Sequence, residues 1–118
     1  MNNNRELNIS VTLKTLGVKP ALLGYDYLRY AISEVMDDKS LIHNITKRLY
    51  RAVANKFETT PSRVERAMRH AVEEAWLVNR LEDVIGIFGN TVSFNKDKPT
   101  NGEFIATVAD YLLIHTKE

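Results

Sequence analysis

Residues 50–71 read YRAVANKFETTPSRVERAMRHA, and this stretch decides the fold. Val53 and Phe57 lie four apart and continue upstream through Leu49 and Ile45, the ladder of one helix face. Glu58-Thr59-Thr60-Pro61 interrupts it. Thr60 can accept a hydrogen bond from the first turn of a helix, and Pro61 suits the first helical position, where its missing N–H has no partner to lose. Ser62-x-x-Glu65 also reads as a capping box, which leaves the start uncertain by about two residues. Val64, Ala67, Met68, Ala71, Val72 and Ala75 then form the inner stripe of a helix running to about Asn79, with Trp76 beside it as a packing anchor. Helix, short break, helix is the pattern of a helix-turn-helix. The small Ala54 lets the two helices cross closely, and Val53, Phe57, Val64 and Ala67 fix their angle at roughly 90–120°. The usual turn glycine is replaced, with Glu58 near its position.

Working outward, Leu28, Ala31, Ile32, Val35 and Met36 form another helical stripe, opened by Pro20 and ended by Asp37-Asp38-Lys39-Ser40. Ile9 to Leu16 fits a strand by alternation and a helix by Ile9, Leu13 and Leu16. It is read as a helix stopped by Gly17. On the C-terminal side, Leu81, Val84, Ile85 and Phe88 give the apolar face of a short helix ended by Gly89. Thr91 to Phe94 reads as extended and Asn95 to Pro99 as a loop. Thr100-x-x-Glu103 caps a last helix, with Phe104, Ile105, Val108, Tyr111 and Leu112 inside. The expectation is an all-α, compact bundle of about six helices. Residues 1–8 are expected to be a flexible linker remnant and 9–118 the helix-turn-helix domain.

The 118 residues suit one domain, and 44% hydrophobic with 26% charged is the mix of a folded globule. Cysteine is absent, which excludes disulfides, a thiol nucleophile and cysteine-ligated metal. No apolar run approaches the roughly 20 residues that span a bilayer, and the N-terminus lacks the apolar core of a signal peptide. A cytoplasmic location with no membrane partner is the expectation. His43, His70 and His115 lack metal-ligand spacing, no carboxylate pair announces acid–base catalysis, and no glycine-rich phosphate loop or nucleophile elbow occurs. No catalytic residue, metal or cofactor is expected.

Net charge is +1, but it is unevenly placed. From Lys47 to His70 there are seven basic residues and two acidic ones, a local +5 against −4 for the rest. The outward face of the second helix carries Arg63, Glu65, Arg66, Arg69, His70 and Glu73. Arginine can pair two donors with guanine O6 and N7, and glutamate can accept from cytosine N4. Arg63, Glu65 and Arg66 are therefore candidate base readers. Lys47, Arg48, Arg51 and Lys56 on the first helix, Thr60 and Ser62 at the turn, and Arg69 and His70 beyond are candidates for the DNA backbone. The plainer reading is a solvated face on which Glu65 and Arg69, at i and i+4, pair with each other. A helical protein-interaction module binding an acidic partner protein is the alternative function.

The runs Ile45-Thr46-Lys47, Ala54-Asn55-Lys56-Phe57, Thr59-Thr60 and above all Ser62-Arg63-Val64-Glu65-Arg66-Ala67-Met68-Arg69-His70-Ala71, then Ala75-Trp76, closely resemble the DNA-binding effector domain of the stage zero sporulation response regulators. So do Gly24-Tyr25, Tyr27-Leu28-Arg29, Phe88-Gly89 and Lys98-Pro99-Thr100-Asn101 with Glu103-Phe104-Ile105-Ala106. The likeness runs from about Ile9 to the C-terminus. It implies a transcription regulator that reads a TGTCGAA-like box in the major groove through Arg63, Glu65 and Arg66. It further implies tandem head-to-tail pairing of the chain on adjacent boxes, and contact with an RNA polymerase sigma factor near Leu81, Glu82, Ile85 and Phe88. Leu77-Val78-Asn79-Arg80 depart from the family pattern. The family also carries an upstream phosphorylated receiver domain. Nothing here resembles one, so the chain is read as an excised effector domain, monomeric until DNA pairs it.

Overall fold

A computed structural model describes residues 3–89 and 98–115. Six α-helices account for most of them: α1 (Asn3–Thr15), α2 (Leu23–Asp37), α3 (Tyr50–Phe57), α4 (Pro61–Val78), α5 (Leu81–Phe88) and α6 (Asn101–His115). No strand occurs among the described residues, and the expected all-α bundle is what forms. The segment expected to be extended, Thr91 to Phe94, lies outside the described residues, as does most of the loop expected after it.

Helix α1 settles the ambiguity at Ile9, which with Leu13 and Leu16 is buried on a helical face. The helix begins at Asn3, so residues 3–8 are helical rather than an irregular lead-in. Arg5 and Glu6 make those turns worthwhile by reaching α2, where Arg5 meets Asp37 at 2.8 Å and Glu6 meets Arg29 at 3.3 Å. Gly17 ends the helix with φ +94°. Its N–H donates to Lys14 O at 3.0 Å and that of Val18 to Leu13 O at 2.9 Å, the paired bonds of a Schellman stop. Pro20 sits in the following turn, and α2 starts three residues later than Pro20 suggests.

Helix α2 is central and packs against α1, α4 and α6. Its crossing with α4 is close because Gly24 has no side chain: a Cβ there would lie 2.2 Å from Ala67 O and 2.6 Å from Ala71 Cβ. Asp38 closes α2 and caps a 3-10 helix (Lys39–Asn44), accepting from the Ser40 N–H at 3.0 Å and the Ser40 hydroxyl at 2.6 Å. A π-helical turn (Ile45–Leu49) then leads into α3. Leu49 and Val53 are fully buried, as the four-residue ladder requires. Phe57, the last rung, is 36% exposed instead. It lies past the end of the core and packs on the Tyr27 and Tyr30 rings, with centroids at 5.1 and 5.9 Å.

At the other end of the molecule, Trp76 of α4 makes edge contacts with Phe88 (5.6 Å) and Phe104 (6.0 Å), docking α5 and α6 onto α4. The start of α6 is a reciprocal capping box. The Thr100 N–H donates to Glu103 Oε1 at 2.9 Å, and the Glu103 N–H donates to Thr100 Oγ1 at 3.1 Å.

Candidate nucleic-acid interface

The turn between α3 and α4 shows how the sequence sets up an outward helix. Helix α3 ends at Glu58, which adopts the left-handed conformation (φ 56°, ψ 51°) where glycine is usual. The Thr59 N–H then donates to Ala54 O at 2.9 Å and closes the helix end. Of the two possible starts for α4, Thr60 is the cap: its Oγ1 accepts from the Arg63 N–H at 3.2 Å, and Pro61 takes the first helical position. Val64, Met68, Ala71, Val72 and Ala75 are buried on the inner side. Thr60 Oγ1 is thereby engaged, whereas the Ser62 side chain is exposed.

At 100° per residue, Arg66 lies nearly opposite the buried stripe of α4, at the crest of the exposed face. Arg63 and Glu65 fall on opposite flanks of it, about 160° apart. Arg63, Arg66, Arg69 and His70 are all exposed. Among the described residues, no acidic side chain pairs with Arg63 or Arg66. Glu65 and Arg69 do pair, through Nε to Oε2 at 2.9 Å and Nη2 to Oε1 at 3.2 Å. The Glu65 hydrogen bonds, then its charge, raise the Arg69 guanidinium further above its usual value. So the plainer reading of this i, i+4 pair is realised, and Glu65 faces Arg69 rather than Arg63. Farther along the face, Glu73 pairs with Lys98 at 3.7 Å.

The basic residues before α4 divide into two groups. Lys47 and Arg51 are exposed, with no ion-pair partner among the described residues. Arg48 is committed to the end of α2, donating to Ser40 Oγ at 3.0 Å and Asp38 Oδ2 at 3.3 Å. Lys56 turns the other way. Its Nζ lies 5.7 Å from the Tyr30 ring centre, in a cleft also lined by Glu34 and by the Arg5–Asp37 and Arg29–Asp26 ion pairs.

One contact escapes sequence reasoning. Asn101, the first residue of α6, is buried and donates from Nδ2 to both Tyr50 Oη and the Glu65 carbonyl, each at 3.1 Å. Tyr50 is itself buried, and that burial pushes its hydroxyl pKa above the ordinary value. The capping box places Asn101 in the first turn of α6, but no local signal joins it to residues 36 and 51 positions away.

Around α5 the structure sorts the expected sigma-facing residues. Leu81 (55%) and Ile85 (43%) are exposed, and Glu82 is exposed and bonded to Arg80 at 2.7 Å. Phe88 is only 3% exposed and belongs to the Trp76–Phe104 cluster, so it is a core residue and not a surface contact. Leu77 and Val78, both exposed, extend the apolar surface onto the end of α4. No described helix is long and apolar enough to cross a membrane. A family model described as the sporulation initiation factor Spo0A C terminal matches residues 9–112.

Proposed function

The chain belongs to the Spo0A C-terminal family, whose members are DNA-binding transcription regulators of sporulation and not enzymes, and on that premise we propose that α4 reads a TGTCGAA-like box in the major groove. Arg63 and Arg66 supply guanidinium groups to guanine edges, and Glu65 accepts from a cytosine amino group. Lys47, Arg51, Thr60, Ser62, Arg69 and His70 hold the phosphate backbone on either side, with Lys56 as an outlying member. The observation that carries this reading is the exposure of Arg63 and Arg66 on α4 with no acidic partner among the described residues. Both guanidinium groups can therefore reach a base edge without first giving up an ion pair among the described residues. Glu65 and Arg69 start paired, so binding exchanges their mutual bonds for bonds to DNA.

The same reading places the chain in the bacterial cytoplasm, downstream of a phosphorylated receiver domain, and pairs it head-to-tail on adjacent boxes. Leu81, Glu82 and Ile85 offer the sigma factor an exposed surface on α5. The decisive experiment is fluorescence anisotropy on a TGTCGAA duplex and a scrambled duplex at two salt concentrations. Arg63→Ala and Arg66→Ala should each lose roughly 1–3 kcal/mol on the first duplex and much less on the second. If both variants bind both duplexes as the wild type does, the arginine roles are wrong. Weak, equal binding of the wild type to both would favour an acidic protein partner instead.

A further inference from the structure

We propose that Asn101 is a positioning residue for base reading, tying the turn of α4 that carries Glu65 and Arg66 to α3 and α6. This inference rests on the DNA-reading role proposed above. Asn101 and Tyr50 are each 7% exposed; the bond between them is buried, and the bond to Glu65 O is partly buried. Both hydrogens of the Asn101 amide nitrogen are used, one on Tyr50 Oη and one on Glu65 O, each at 3.1 Å. The Glu65 acceptor is a carbonyl, which fixes the orientation of the amide, because the Asn101 carbonyl oxygen could not bond it. A backbone carbonyl has two lone pairs. Glu65 O therefore takes the Asn101 bond in addition to its helical bond.

The position of this bond gives it a consequence for recognition. It grips the peptide joining Glu65 to Arg66, at the centre of the reading turn. The apolar contacts beneath α4 are non-directional. A hydrogen bond is directional, and this one anchors the turn to residues on two other helices. Functional side chains need holding to within about 0.5 Å and 10–20° of their working geometry. Packing supplies the stability of the α3–α4 crossing, and Asn101 supplies its register. A cleft lined by Ile45, Tyr50, Glu65, Arg69, Lys98 and Thr100 runs beside it.

The test uses the whole chain, three variants and two measurements. Asn101→Ala strands the Tyr50 hydroxyl. Tyr50→Phe alone keeps the Asn101–Glu65 bond. The double variant Tyr50→Phe/Asn101→Ala removes both polar ends and avoids a buried unsatisfied group, so it stands in if the single alanine variant does not fold. On the TGTCGAA and scrambled duplexes, the Asn101 variants should lose at least tenfold in the ratio of the two affinities, while scrambled binding changes less than twofold. Tyr50→Phe, which releases the tie to α3 but keeps the Asn101–Glu65 bond, should lose only part of that ratio. An unchanged ratio, or equal weakening on both duplexes, overturns the proposal. Amide hydrogen exchange without DNA separates this from a failure of the DNA reading itself. Should the wild type not distinguish the duplexes, the DNA-reading role falls. Faster exchange at residues 65–70 in the Asn101 variants then upholds the positioning claim, and unchanged exchange overturns it.

Discussion

Glu58 occupies a conformation that an L side chain adopts at a cost, and it does so at the turn that aims α4. A left-handed residue costs roughly 1–2 kcal/mol; glycine, with no Cβ, would remove that cost but give up part of the gain to its greater freedom in the unfolded chain. Glu58→Gly should therefore raise stability by about 0.5–1 kcal/mol, seen as a higher urea midpoint at unchanged slope. A lower midpoint would mean that the Glu58 side chain supplies more than its backbone costs. Asp38 is a different kind of residue, important for its charge. The Ser40 hydroxyl and N–H hold its carboxyl below the usual carboxylate range, with a smaller contribution from Arg48. A group whose folded pKa is lowered adds stability above its unfolded value, about 3.9, and loses it as pH falls through the folded one. Asp38→Asn should accordingly be less stable than wild type at pH 7, with the gap closing as pH drops below about 4. Denaturant melts at pH 7 and pH 3 check this, and an equal gap at both would contradict it.

Two glycines separate what an element needs from what it tolerates. Gly24 lets α2 and α4 touch, and Gly24→Ala puts a methyl group 2.2 Å from Ala67 O, a backbone atom that cannot swing aside. Overpacking of this kind costs about 1–3 kcal/mol or more, and the shift falls on α4. Gly86, inside α5, has open space where an alanine Cβ would stand, with nothing within 4 Å of it, so Gly86→Ala should stabilise by about 0.5–1 kcal/mol through helix propensity. Thermal melts of the two variants should move in opposite directions, and movement in the same direction would refute the crossing argument. The same distinction between local and distant causes explains what the sequence discloses. The Thr100 box, the Thr60 cap and the Gly17 stop are legible because their donors and acceptors lie within a few residues of one another. The start of α1 at Asn3 is not, because it depends on Arg5 and Glu6 meeting α2. Phe57 misleads for a similar reason: periodicity gives its side of the helix, but not that the core has already ended there.

At the scale of the molecule, the +5 segment from Lys47 to His70 is legible as a count, whereas the direction each cation faces is not. Helix α4 presents its arginines as its own periodicity requires, so Arg63 and Arg66 could be chosen from sequence. The cations before α4 are sorted by neighbours far away in the chain. Arg48 is taken by Asp38 and Ser40, Lys56 is drawn over Tyr30 beside Glu34 and Asp37, and Arg51 stays exposed. This sorting predicts unequal contributions to DNA binding from residues of equal charge. Each phosphate neutralised releases condensed counterions, and the slope of log affinity against log salt changes by about 0.9 per contact. Arg51→Ala should flatten that slope by about 0.9 on cognate and scrambled duplexes alike. Lys56→Ala should change it by much less, because its ammonium already lies over the Tyr30 ring in a cleft it shares with Glu34. Titrations at four or more salt concentrations give the slopes directly. Equal flattening by the two substitutions would show that long-range charge governs DNA binding, and that the facing of individual cations does not.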